Sequence, residues 1–268
     1  MPARVDSNDS IAGIDRIDRI DILGIPFDSR TRASAADAAM ELISAPGADV
    51  PFIVTPNPEI VRLAGKNPRL REAVLAAALV LPDGVGITLA ARILGRPLAE
   101  RTPGIDVAEL VLERLAKIGG SVYLLGAKPG VAERAGARLC EKYSGLILAG
   151  ARDGYFTDDA AVIADINAAS PELLLVCLGS PKQELWAYDN RAALKTRLMA
   201  CLGGSLDVFA GDVRRAPPVF RRLGLEWLYR LAREPRRIFR MAALPLFMLT
   251  VLREKIAPRG GGKKEARE

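Results

Sequence analysis

Residues 79–86 read Leu-Val-Leu-Pro-Asp-Gly-Val-Gly, and this stretch indicates how the chain is built. Three apolar residues predict the end of a buried strand, Pro82-Asp83-Gly84 predicts a turn, and the apolar spacing from Ile87 to Leu94 predicts a helix. In an open α/β sheet, ligands bind at the carboxyl ends of the strands, where the Asp83 carboxylate can take a proton from a substrate hydroxyl. The alternative is that Asp83 only forms an Asx turn or caps the helix.

The same pattern recurs along the chain. Residues 172–178 (ELLLVCL) are almost continuously apolar, as expected of a central parallel strand that is covered on both faces. Further strands that end in polar or glycine-containing loops are predicted at 52–54, 121–125, 146–148 and 198–202, and residues 17–26 are interpreted as a first strand. Strands that alternate with helices predict βαβ units. The expected fold is therefore α/β, with a Rossmann-like, mostly parallel sheet and helices on both faces.

The amino-acid composition limits which catalytic residues and which kinds of site are available to this chain. The chain has no histidine, which excludes Ser-His and Cys-His nucleophiles and leaves acid–base work to Asp, Glu, Lys or Tyr. Three separated cysteines without a CxxC motif favour a reducing compartment over a disulfide framework or a zinc cluster. We see no signal-peptide pattern, and the apolar run at 241–252 is shorter than the roughly 20 residues of a membrane span.

Charge is distributed unevenly. Residues 214–268 hold 15 Lys/Arg against 5 Asp/Glu, whereas the preceding residues hold 23 against 27. Arginines that alternate with apolar and aromatic residues predict a C-terminal basic, amphipathic helical appendage suited to an anionic membrane surface. The alternatives are a solvated basic face on a packed helix and nucleic-acid binding, and we expect no nucleic-acid partner. The predicted organisation is a mobile N-terminus (1–15), an α/β domain (16–213), the appendage (214–255) and a flexible tail (256–268).

Several strand ends carry side chains that could bind a ligand. Thr55 and Asn57 follow the strand at 52–54, although helix capping alone also explains Asn57. Arg101 is either a ligand or a solvated loop residue, and Tyr155 either stacks on a base or closes the core. The turn Gly126-Ala127-Lys128-Pro129-Gly130 matches neither GxGxxG nor a Walker A loop, which argues against a nicotinamide enzyme.

Four blocks together resemble the WecG/TagA/CpsF family of bacterial glycosyltransferases (glycosyltransferase family 26). The blocks are Thr55-Pro-Asn-Pro-Glu59, Pro82-Asp-Gly-Val-Gly86, Gly179-Ser-Pro-Lys-Gln-Glu-Leu-Trp186 and the stretch from Gly203 to Arg240. The resemblance runs from about residue 22 to about residue 247. One departure is Leu206, which stands before Asp207 where the family pattern has an aromatic residue.

The resemblance implies an inverting, metal-independent transferase for cell-surface or exopolysaccharide synthesis. Its substrates would be a UDP-sugar donor and a polyprenyl-diphosphate-linked sugar acceptor, typically on undecaprenol, at the inner face of the bacterial cytoplasmic membrane. It implies no metal ligand and no cofactor besides the donor, and the chain has no DxD metal motif in a strand-end loop. The transferred sugar would be N-acetylmannosamine, its uronic acid or glucose.

The resemblance also implies roles for individual residues. Asp83 resembles the general base, and Thr55 resembles a second residue of the catalytic pocket. Tyr155 and Asp207 resemble contacts to uridine, the carboxylate accepting from the uracil N–H. The remaining residues resemble ligands of the sugar (Asn57, Arg101, Gln183) and arginines that fold over the site and neutralise the diphosphate (Arg230, Arg237, Arg240). Guanidinium groups suit that task because their forked donors match phosphate oxygens.

The sequence leaves two matters open. A non-catalytic, UDP-sugar-binding partner of membrane assembly enzymes would share the predicted fold and pocket. The chain's own oligomeric state is also undetermined, so a homo-oligomer is compatible with the sequence.

Overall fold

The computed structural model describes residues 18–45, 47–222, 224–233 and 243–256. The strands in this part of the chain are β1 Arg19–Ile22, β2 Ile25–Asp28, β3 Phe52–Val54, β4 Leu79–Val80, β5 Ser121–Gly126, β6 Ile147–Arg152, β7 Leu173–Cys177 and β8 Leu198–Cys201. Six of them form one parallel sheet in the order β4-β3-β8-β7-β5-β6. The predicted Rossmann-like α/β fold is confirmed.

Helices connect the strands and cover the sheet. Those in the described residues are α1 Arg32–Ser44, α2 Pro58–Ala64, α3 Pro68–Leu75, α4 Val85–Ile93, α5 Gly104–Lys117, α6 Val131–Lys142, α7 Asp159–Ala169, α8 Lys182–Asn190, α9 Ser205–Phe209, α10 Pro218–Arg222, α11 Glu226–Arg233 and α12 Ala243–Ile256. Two separate apolar clusters fill the space between helices and sheet, one on each face. Every residue of β7 is buried, as its continuous apolar sequence predicts.

The N-terminal strand prediction is wrong in its topology. Residues 19–28 form an antiparallel hairpin, β1–β2, which is separate from the six-stranded sheet. Leu23 and Gly24 both have positive φ, 55° and 79°, which is the geometry of a two-residue hairpin turn. The buried Asp28 carboxylate then accepts a hydrogen bond of 2.7 Å from the backbone N–H of Val80, which fixes the hairpin beside β4.

The C-terminal helix packs against the α/β domain. Phe247 and Val251 of α12 are fully buried in the apolar cluster that also contains residues of α2 and α4. The opposite side of α12 leaves Leu246, Leu249 and Ile256 exposed. Within the described ranges, no helix combines the length and apolar character needed to cross a membrane. The predicted mobile N-terminus (1–15) and the tail after residue 256 lie outside the described residues, and the domain boundary at 213 stays a prediction.

Candidate active site

A cavity of about 300 Å³ lies at the carboxyl ends of β3, β4 and β8, and we refer to it as the first cavity. Thr55 follows β3, Asp83 follows β4, and Gly204 follows β8. Asn57, Arg101, Glu226, Trp227 and Leu244 also contribute to its lining. Because parallel strands end at the same edge of a sheet, side chains from distant parts of the sequence meet here.

The turn after β4 places Asp83 in this cavity. Its backbone N–H donates to the Pro56 carbonyl at 3.4 Å, which ties the turn to the loop after β3. Gly84, with a φ of +86°, is the N-cap of α4 and makes no side-chain cap bond. The interpretation of Asp83 as the cap of this helix is therefore wrong, whereas the Asx-turn interpretation stays open, and Asp83 lines the cavity from the turn.

The loop after β3 supplies two further predicted residues. The Thr55 hydroxyl donates to the Cys201 carbonyl at 3.4 Å, which joins the ends of β3 and β8. Asn57 caps α2, since its Oδ1 accepts from the Ile60 N–H at 3.0 Å, so the capping interpretation is confirmed. Both residues nevertheless line the first cavity, and capping fixes the orientation of the Asn57 amide there.

Arg101 links the domain to the appendage. Its guanidinium is 3.7 Å from the Glu226 carboxylate of α11, and both side chains are largely buried. The next residue, Thr102, donates its backbone N–H to the Pro82 carbonyl at 3.2 Å, which holds the Arg101 loop against the Asp83 turn. The alternative of a solvated loop residue is therefore wrong for Arg101.

The appendage forms part of the wall of the first cavity. Glu226 and Trp227 come from α11, and Leu244 comes from α12. A Cβ added at Gly86 would lie 2.6 Å from Leu244 Cδ1, so this glycine allows α12 to approach α4 closely. Sequence reasoning quoted Glu226 only within a motif and assigned no role to Glu226 or Leu244, because contacts across more than 100 residues leave no local pattern.

A second, wider cavity of about 680 Å³ lies at the carboxyl ends of β5, β7 and β8. Tyr155 and Asp207, the predicted uridine contacts, both line it. Tyr155 is 72% exposed, so the interpretation that it closes the core is wrong. Gly204 lines both cavities, which places them side by side along the rim of the sheet.

A lysine gives the second cavity positive charge. Lys182 Nζ donates to the Gly154 carbonyl at 3.3 Å and lies 4.8 Å from the centroid of the Phe156 ring. Lys128 also lines this cavity, which thus combines two aromatic rings, a carboxylate and two ammonium groups. This set suits a ligand with both a flat ring and a negative charge. Sequence reasoning quoted Lys182 within a motif and assigned it no role.

The structure does not bring every predicted residue into the cavities. Gln183 is 3% exposed and contributes to the described lining of neither cavity. Arg230 lies in α11, whereas Arg237 and Arg240 lie outside the described residues. Leu206, the departure from the family pattern, is fully buried in the apolar cluster on one face of the sheet, so the change falls in the core.

Burial raises the pKa values of several titratable groups near the rim, including the Cys201 thiol. Burial raises the pKa of the Glu184 carboxyl above its ordinary value, although hydrogen bonds from Ser180 and Gln183 oppose that shift. Burial also raises the pKa of the Cys177 thiol to about 12, which keeps this cavity residue neutral. In the part of the chain that the structure describes, no cluster of three or more His, Cys, Asp or Glu side chains is arranged to hold a metal ion.

Comparison with known proteins extends this description. The sequence model of the glycosyl transferase WecG/TagA/CpsF family matches residues 20–261. The chain belongs to this family. It is a glycosyltransferase, as the sequence predicts, and the match covers both cavities and the two appendage helices that contribute to the first cavity.

Two relatives of this WecG/TagA/CpsF protein are similar to it over most of their own length. A Bacillus spizizenii protein named N-acetylglucosaminyldiphosphoundecaprenol N-acetyl-beta-D-mannosaminyltransferase is 37% identical over 206 residues, which is 77% of this chain and 80% of that protein. A protein with the same name from Staphylococcus aureus is 34% identical over 237 residues, which is 88% of this chain and 93% of its own length.

Proposed function

We propose that this glycosyltransferase moves N-acetylmannosamine from a UDP-sugar to an undecaprenyl-diphosphate-linked N-acetylglucosamine. The proposal extends to this chain the sugar, the lipid and the acceptor that appear in the names of its relatives. The single observation that carries it is the junction of the two cavities at Gly204, with Asp83 on one side and Tyr155 and Asp207 on the other.

The donor nucleotide would occupy the second cavity. The Tyr155 ring offers a face on which uracil can stack, and the Asp207 carboxylate can accept a hydrogen bond from the uracil N–H. A nucleotide bound this way directs its diphosphate and sugar toward Gly204. The anomeric carbon would then face the first cavity, where Thr55 and Asn57 can bind sugar hydroxyls.

The acceptor would enter the first cavity, and Asp83 would act as general base. The carboxylate takes the proton of the acceptor hydroxyl while that oxygen attacks the anomeric carbon. The new carbon–oxygen bond forms as the bond to the diphosphate breaks, and UDP leaves with the electron pair. Attack from the side opposite UDP inverts the configuration at the anomeric carbon.

The charge that develops on the departing diphosphate requires cations. We propose that guanidinium groups supply them in place of a metal ion, with Arg101 in the first cavity and Arg230, Arg237 and Arg240 from the appendage. The ion pair between Arg101 and Glu226 supports this arrangement, because it joins the predicted site to the helix that carries Arg230.

The acceptor is lipid-linked, so the enzyme has to work at a membrane surface. The exposed apolar residues of α12, together with Arg253 and Lys255 in its last turn, suit insertion into an anionic lipid interface. We propose peripheral association with the inner face of the bacterial cytoplasmic membrane. This arrangement would present the first cavity, which α12 helps to enclose, to the lipid-linked sugar.

The decisive experiment is Asp83→Asn, assayed with UDP-N-acetylmannosamine and a short-chain lipid-diphosphate acceptor. Loss of a general base predicts a fall in kcat of about 10²- to 10⁴-fold. UDP affinity, measured by calorimetry, should change by less than about threefold, because the second cavity is intact. Asp37→Asn, an exposed carboxylate paired with Arg114, is the matched control and should retain full activity.

The same assay tests the other parts of the proposal. Activity that survives exhaustive chelation supports metal independence, and the anomeric NMR signals of donor and product report inversion. Full activity of Asp83→Asn would remove the proposed base. If the wild type binds UDP but transfers no sugar to any lipid acceptor, the non-catalytic alternative is correct.

A further inference from the structure

A buried carboxyl group lies directly behind the rim where the two cavities meet. Glu184, in the first turn of α8, is 1% exposed. Its Oε2 accepts from the Ser180 hydroxyl at 2.6 Å, and its Oε1 accepts from Gln183 Nε2 at 2.9 Å. Burying a carboxyl group costs free energy of folding unless hydrogen bonds within the protein replace those that it made with water.

The hydrogen bonds continue to the rim through Gln183. With Nε2 directed to Glu184, the amide oxygen of Gln183 points the other way and accepts from the Gly203 N–H at 2.8 Å. Gly203 has a φ of +54°, and Gly204, the next residue, lines both cavities. If the Gln183 amide were flipped, its NH₂ group would face the Gly203 N–H and could not accept from it. The hydrogen bond to Glu184 therefore determines whether Gln183 can accept from Gly203.

We propose that Glu184 is a positioning residue for sugar transfer, which acts through Gln183 to hold the Leu202–Gly203 peptide at the junction of the cavities. This inference rests on the proposed function, because that peptide is where the donor sugar would face Asp83. A displacement of about 1 Å between reacting groups can reduce a rate by about 10²-fold. Loss of the hydrogen bonds should therefore lower kcat more than it weakens UDP binding.

Two substitutions of Glu184 separate the hydrogen bonds from the charge. In Glu184→Gln, the new amide oxygen can accept from Gln183 while its NH₂ donates to the Ser180 hydroxyl, so the Gln183 orientation is kept. In Glu184→Leu, the volume is similar but no acceptor remains for Gln183. We expect a 10- to 100-fold loss of kcat for Leu, near-normal kcat for Gln, and changes in UDP affinity below about threefold for both.

Glu172 provides a control at the opposite end of the strands, directly before β7. Its carboxylate also accepts from a serine hydroxyl, that of Ser121, and from the Ser121 N–H at 2.7 Å. Glu172→Leu should lower the melting temperature without changing kcat. Gln183→Met removes the acceptor of the Gly203 N–H directly. The double variant with Glu184→Leu should be no slower than the slower single variant, because both substitutions remove the same hydrogen bond to Gly203.

Hydrogen exchange at the Gly203 amide gives a readout that does not depend on turnover. Exchange should accelerate in Glu184→Leu and stay near wild type in Glu184→Gln and Glu172→Leu. Normal kcat in a folded Glu184→Leu protein, or equal losses in the Leu and Gln variants, would overturn the inference. If Glu184→Leu does not fold, unchanged kcat and Gly203 exchange in Gln183→Met would overturn it. If the wild type transfers no sugar while Gly203 exchange responds as expected, the proposed function fails and the structural role of Glu184 stands.

Discussion

The contact between α12 and the α/β domain can be weakened at one residue. Phe247 and Val251 are the two fully buried side chains in the described part of this helix. Burying two such side chains contributes about 3–6 kcal/mol, at about 1.5–3 kcal/mol each. We therefore expect Phe247→Ala, which removes the larger of the two, to shift the helix toward an undocked state.

The expected size of this shift follows from measured core substitutions. Phe→Ala at a fully buried position costs about 3–5 kcal/mol, which is a factor of at least 100 in the ratio of docked to undocked helix. Because Phe247 lies on an appended helix, most of that cost should appear as undocking and little as unfolding of the sheet. The melting temperature of the domain should then change by only a few degrees.

The functional consequence should be selective. Undocking α12 withdraws Leu244 from the first cavity, whereas the described lining of the second cavity contains no residue of α12. We expect transfer to fall at least tenfold and UDP affinity to stay within about threefold of wild type. Leu249→Ala, on the exposed side of the same helix, is the control and should keep α12 docked.

Hydrogen exchange of the α12 amides, a UDP titration and the transfer assay together test the reasoning. If α12 exchanges rapidly in Phe247→Ala while transfer in detergent-solubilised acceptor is unchanged, Leu244 does not contribute to the site. If UDP binding is lost together with transfer, the two cavities are not independent in the way that the structure implies.

Three further predictions concern buried polar groups and thiols. Asp28→Ala should destabilise the fold by about 1–3 kcal/mol in urea unfolding, because a buried amide of β4 loses its acceptor; an unchanged midpoint would contradict this. Since burial raises the pKa of Glu184, the folded state holds that proton more tightly, and its stabilising effect is lost as pH rises above about 4.5. Wild-type stability should therefore fall relative to Glu184→Gln as pH rises from about 4.5 through the raised pKa of the folded state, and level off above it. Parallel pH curves for the two proteins would refute the shift. Iodoacetamide should modify the partly exposed Cys140 in the native protein and spare Cys177 and Cys201, whose pKa values burial raises; mass spectrometry that finds Cys177 modified would contradict this.

The central strands could be predicted from sequence because they are buried on both faces and read as short apolar runs. The edge strand β6 is longer than predicted, since Gly150 lies against the Tyr123 ring and carries no apolar side chain of its own. The N-terminal hairpin was missed because Leu23 occupies a positive-φ turn position that normally favours Gly or Asn. Each error arises where a tertiary contact or a turn overrides the local pattern.

The candidate site was predictable to a similar extent and for a related reason. Thr55 and Asp83 follow strands directly, so the parallel sheet alone brings them to one rim. Gln183 was expected in the pocket from the family resemblance, but the first turn of α8 directs its side chain behind the rim toward Gly203. The residue at which α8 begins determines whether the Gln183 side chain points into the pocket or behind the rim, and a single sequence does not fix that residue.

The division of the rim into two cavities also explains why the appendage belongs to the site. A transferase has to hold the donor whether or not the acceptor is present, and the described lining of the second cavity comes from residues between 127 and 207. The first cavity draws its wall from the domain and from Gly224, Glu226, Trp227 and Leu244 of the appendage. If the appendage settles against lipid, completion of the first cavity becomes coupled to the surface that carries the acceptor. Trp227 and Leu244 form part of that wall, and we expect them to limit the access of water to the activated sugar.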